Sequence, residues 1–79
     1  MEAIEVTARF DPLGVIYPLH FTWGTASYIV TGIGRRWHDE TGQHILVMVP
    51  GDRVYELVYI PDERIWFLHR PHAPYTAKI

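Results

Sequence analysis

His69-Arg70-Pro71-His72 is the nearest thing in this sequence to a metal-ligand spacing. Two imidazoles that close supply two ligands, whereas a zinc ion takes three or four converging groups. His38 and His44 flank Asp39-Glu40 in a short polar stretch. A metal-dependent enzyme built on His38, His44, His69 and His72 therefore needs a fold that carries that stretch to the C-terminal tail, and nothing in the spacing demands one. Nucleophilic catalysis is no better served: cysteine is absent, and the single serine, Ser27, has no acid–base pair beside it. Asp39-Glu40 and Asp62-Glu63 fall in turns, where carboxylates serve solubility and turn geometry. Gly32-Ile33-Gly34 lacks the third glycine and the helix of a phosphate-binding loop. The expectation is a protein that is not an enzyme and has no cofactor and no metal.

One carboxylate stands apart. Glu56 is the lone charge on an otherwise apolar strand face between Val54 and Val58, so it either pairs with an arginine such as Arg64 or marks the wet edge of that face, and a structural ion pair is favoured over a catalytic acid. Arginine and large rings also cluster: Arg35, Arg36 and Trp37 precede His38, and Arg64, Trp66, His69 and Arg70 come near the end. That composition serves small β-barrels that bind single-stranded nucleic acid. It equally serves protein interfaces, and it is what barrel-end rings with guanidinium groups stacked on them look like. The net charge of −2 argues against indiscriminate binding to phosphate backbones.

These residues must be positioned by strands, because helical periodicity is absent. Apolar residues alternate from Ile4 through Val6 and Ala8 to Phe10, the period of a half-buried strand. Asp11-Pro12-Leu13-Gly14 then turns the chain. A second strand carries Leu19, Phe21 and Trp23 on one face, and Pro18 puts its start or a sheet edge there. The third begins in phase with Tyr28 and Val30 but continues with Ile33 and Trp37 on the opposite parity, and a slip beside Gly32 and Gly34 predicts a bulge that bends the strand. Runs at 44–49, 53–60 and 64–69 come next, separated by Pro50-Gly51-Asp52 and Pro61-Asp62-Glu63. The fold expected is all-β: a small, strongly curled antiparallel sheet or partly open barrel, SH3-like in general shape, with about six strands and a meander in its C-terminal half.

Seventy-nine residues allow a single domain, 1–79, with 71–79 as an irregular tail. A hydrophobic fraction of 48% with 14% aromatics excludes disorder and assigns rings to the core. Without cysteine no disulfide supports so small a domain, and a reducing, cytoplasmic setting fits. The opening Met1-Glu2-Ala3-Ile4-Glu5 is neither basic nor a long apolar run, so neither a signal peptide nor a membrane span is expected. Six of the seven basic residues are arginine and asparagine is absent, as a GC-rich coding bias or a thermophile's avoidance of labile amides produces. The strands at 44–49 and 53–60 are apolar on both faces. Such strands are covered on both faces, so barrel closure, the tail or a homodimer through these faces is expected to bury the second one.

Phe21-x-Trp23-Gly24, Tyr28-x-Val30-x-x-Ile33, Trp37, Val54-Tyr55-Glu56-Leu57-x-Tyr59 and Trp66-x-Leu68 together resemble a family of small bacterial all-β domains of unknown function, some associated with Y-family translesion DNA polymerases. The similarity spans about three quarters of the chain and rests on apolar and aromatic positions. It implies a bacterial, cytoplasmic, non-enzymatic module and carries no catalytic residues with it. The acidic first hairpin loop is shorter and less basic than in relatives. The functional expectation is thus a non-catalytic binding or protein-interaction module, with a nucleic-acid accessory role on the Arg/Trp surface as the alternative.

Overall fold

The computed structural model describes residues 2–69. Arg70, His72 and the expected tail at 71–79 lie outside the described residues. Seven strands form one curled antiparallel sheet, a half-barrel: β1 (Glu2–Phe10), β2 (Ile16–Trp23), β3 (Ala26–Ile29), β4 (Gly32–His38), β5 (Gln43–Val49), β6 (Arg53–Ile60) and β7 (Ile65–His69). Their order across the sheet is β3-β2-β1-β7-β6-β5-β4. The all-β, curled architecture and the C-terminal meander are as the sequence predicts.

The count of six strands is corrected to seven among the described residues. The third expected strand breaks at Val30-Thr31, and its halves lie at opposite ends of the strand order. Successive amides make the crossing: Val30 N–H donates to the Leu19 carbonyl at 3.0 Å, and Thr31 N–H donates to the Met48 carbonyl at 2.8 Å. The expected bulge is also there, between Ile33 and Arg36, where β4 slips against β5. A second register shift, between Thr7 and Ala8 of β1, opposes Leu19 of β2. Bulges raise local twist, and β1 pairs with β7 through Glu2–Ile4 but with β2 through Glu5–Phe10. One bent strand thereby joins the two parts of the curl.

Inside the curl, Ile16, Phe21, Ile45, Val47, Val49, Leu57, Trp66 and Leu68 are buried together. Rings fill both ends. Phe21 stacks on Tyr28 at 4.9 Å with Tyr55 beside them, and Tyr59 lies 4.8 Å from Trp66 with Phe10 at its edge. Burial raises the Tyr55 phenol's pKa. On the opposite face of the β5–β6 pair, Leu46 and Val58 are fully buried as well. Among the described residues the exposed large apolar side chains are instead Phe10, Leu13, Leu19 and Ile29, all on β1–β3 and the first turn.

The hairpin of β4 and β5 is closed by a carboxylate and a glycine. Asp39 Oδ1 accepts from the amides of Thr41 at 2.8 Å and Gly42 at 3.3 Å, and the Asp39 amide donates to the Gly42 carbonyl. Gly42 adopts φ +158°, and a Cβ there would stand 2.4 Å from the Tyr59 carbonyl oxygen. Only glycine lets this loop settle against the end of β6.

Candidate functional site

Strand parity puts His44 of β5, Glu56 of β6 and His69 of β7 on the face opposite the core. Glu56 is directly opposite His69, while His44 is diagonal to it through Leu46. The three side chains meet at one atom: Glu56 Oε2 lies 2.7 Å from His44 Nδ1 and 3.0 Å from His69 Nδ1. The other His44 nitrogen, Nε2, is 3.0 Å from Asp39 Oδ1. A chain of four titratable groups therefore runs Asp39, His44, Glu56, His69. Its centre is buried, with His44 at 7% and Glu56 at 6% exposure, and its ends reach solvent.

This arrangement corrects the expected partner of Glu56. Two histidines bind it, not Arg64, because Arg64 sits in the β6–β7 turn at φ +56° while Glu56 lies at the other end of that hairpin. Burying a carboxylate is costly unless it is hydrogen-bonded, and here both donors converge on it.

The electrostatics follow from the geometry. Burial pulls the His44 pKa down, but the hydrogen bonds to Glu56 and Asp39 outweigh it and hold the pKa above its ordinary 6.5. The bond from His44 lowers the Asp39 pKa from 3.8, helped by the Thr41 amide. With a carboxylate at each ring nitrogen, His44 is satisfied as an imidazolium, since only that form donates twice. Trp37, paired with His44 across β4 and β5, stacks on it at 5.1 Å and 9°.

An open cleft of about 670 Å³ lies beside this chain, between the β4–β5 hairpin and the β6–β7 turn. Trp37, Ile45, Ile60 and Pro61 supply its apolar walls, and Asp39, Glu40, His44 and Asp62 its polar ones.

Of the expected Arg/Trp residues, Arg35, Trp37 and His69 gather around the His44–Glu56 pair, whereas Arg36, Arg64 and Trp66 are placed elsewhere. Arg35 lies over Trp37 at 5.0 Å. Arg36 lies over Tyr17 and donates to the Ile16 carbonyl, tying β4 to β2 across the barrel mouth. Trp66 is in the core and His69 is held by Glu56. Arg64 is exposed in its turn, and Arg70 lies outside the described residues. Among the described residues no set of three His, Asp or Glu side chains is arranged to hold a metal ion. Ser27, on β3 opposite Thr22, has no histidine or carboxylate bonded to it among the described residues. The site residues that sequence reasoning does not single out as a set are Asp39, His44, Glu56 and His69. Their signal is a shared strand face, which becomes visible only once the register is fixed.

Comparison with family models, with curated proteins and with solved structures gave no match.

Proposed function

We propose that the protein is a non-catalytic binding module that engages a protein partner through the cleft between the β4–β5 hairpin and the β6–β7 turn. One observation carries this: both groups with perturbed proton affinity next to open space, Asp39 and His44, line that cleft. Binding sites gather perturbed titratable groups in their main concave surface. The walls favour a cationic segment of a partner, since three carboxylates, Asp39, Glu40 and Asp62, line the cleft against one guanidinium, Arg36, which is engaged by the Ile16 carbonyl and Tyr17. The same carboxylates weigh against a nucleic-acid backbone. A bacterial cytoplasm belongs to the proposal, on the family resemblance and the absence of cysteine. A homodimer through strands 44–49 and 53–60 gains little support, because among the described residues the large apolar side chains exposed lie elsewhere.

Titration of the protein at low salt with an oligo-arginine peptide and, separately, with oligo-thymidine tests this. The peptide is expected to bind, to weaken with added salt, and to weaken further with Glu40→Gln and Asp62→Asn together. Binding of oligo-thymidine without binding of the peptide overturns the proposal in favour of a nucleic-acid role.

A further inference from the structure

We infer that the chain Asp39–His44–Glu56–His69 is a proton-binding site whose occupancy sets the conformation of the β4–β5 hairpin loop and with it the cleft. His44 faces a carboxylate oxygen at each ring nitrogen, at 2.7 and 3.0 Å. The imidazolium donates to both, but the neutral ring carries one N–H. On losing its proton, His44 must therefore turn a bare nitrogen lone pair toward one carboxylate, and that contact opens.

Burial decides which contact opens. Glu56 is buried, and His69 alone cannot replace both of its donors. The Asp39 side chain is 49% exposed and can take water in place of Nε2. The neutral ring thus keeps its proton on Nδ1, toward Glu56, and releases Asp39. The oxygen released, Oδ1, is the same atom that accepts from the Thr41 and Gly42 amides. Loss of one proton from a buried ring consequently loosens the loop that walls the cleft.

The surroundings of His44 reinforce the coupling. From β4 it meets the Trp37 ring, which carries the Arg35 guanidinium. From the loop it meets Asp39, with Glu40 and the neighbouring His38 also on the cleft. From β6 it meets Glu56, and through Glu56 it senses His69 on β7. Arg36 also lines the cleft, but its guanidinium donates to the Ile16 carbonyl and lies over Tyr17. The contacts that bear directly on the ring are two carboxylates and an aromatic face, all favouring the cation.

Histidine-ring nitrogen NMR across pH 5 to 9 tests the proton site without any ligand. His44 is expected to titrate above 6.5, to retain its proton on Nδ1 when neutral, and to shift the Thr41 and Gly42 amide resonances with the same midpoint. Asp39→Asn, a substitution at an exposed side chain, is expected to lower the His44 midpoint and to detach the Thr41 and Gly42 shifts from it. A His44 midpoint at or below 6.5, a neutral tautomer protonated on Nε2, or indifferent loop amides would overturn the inference. The control of binding rests on the cleft being the binding site, and repeating the oligo-arginine titration at pH 6 and pH 8.5 separates the two. No binding at either pH refutes the cleft and leaves the ring titration to judge the proton site. Equal binding at both refutes the control alone, and a several-fold difference in affinity between the two pH values supports both.

Discussion

Trp37 and His44 face each other across β4 and β5 with ring centroids 5.1 Å apart and planes 9° from parallel. A protonated imidazole on an indole face is held by cation–π attraction, and it quenches indole emission more strongly than the neutral ring does. Tryptophan fluorescence is therefore expected to rise as pH increases through the raised His44 midpoint. Trp37→Phe removes that rise while leaving Trp23 and Trp66 emitting. Persistence of the rise in Trp37→Phe would show that another ring pair is responsible.

Stability should fall on both sides of a mildly acidic optimum. His44 binds its proton more tightly in the folded protein, so its contribution is complete below 6.5 and is lost as pH rises through the raised folded value. Asp39 behaves oppositely: its contribution is present above 3.8 and lost as pH falls through the lowered folded value. Thermal melts should give their highest Tm between 3.8 and 6.5 and decline toward pH 9, below the range in which Tyr55 ionises. Asp39→Asn is expected to flatten both slopes. A Tm that climbs from pH 6 to pH 9 contradicts the charge assignment.

What the sequence discloses and what it hides obey one division. Alternation and turn residues report local geometry, so β1, β5, β6, β7 and their Pro/Gly turns are legible, as is the bulge near Gly34. The parity slip after Val30 carries no information about which strand each half joins. The break between β3 and β4 depends on amides at Val30 and Thr31 reaching carbonyls on β2 and β5, which are non-local contacts. The pairing of Glu56 lies between these extremes. Given Ile60 opposite Ile65, an antiparallel hairpin must put His69 opposite Glu56 four residues out, whereas Arg64 falls inside the turn. Charge alone favours the arginine; register rules it out.

Glycine at position 42 is required for a reason that glycine at position 24 does not share. Both have positive φ, but a Cβ at 24 meets nothing within 4 Å, whereas one at 42 meets the Tyr59 carbonyl oxygen at 2.4 Å. Gly24→Ala should therefore cost about 1 kcal/mol of backbone strain. Gly42→Ala adds displacement of β6 backbone and should cost roughly 3 kcal/mol. Urea unfolding of the two variants measures the difference, and equal costs would place the loop free of β6. Because the Asp39 cap shares this loop, Gly42→Ala should also reduce the protection of the Thr41 amide from hydrogen exchange.

Leu46 discriminates between a face buried within one chain and a face buried by a second copy. Its side chain is fully buried on the surface opposite the core, alongside Val58, in the single chain. Leu46→Ala should thus destabilise the monomer about as much as Leu57→Ala in the core, roughly 2–5 kcal/mol each. If that burial suffices within one chain, Tm should not depend on protein concentration. Leu13→Ser is the control, because a side chain 90% exposed should change stability by less than about 0.5 kcal/mol. A Tm that rises with concentration in the wild type and loses that rise in Leu46→Ala would assign this face to self-association. The β5–β6 surface would then be an interface, and the exposed Leu19 and Ile29 at the β2–β3 edge would have to be read as incidental.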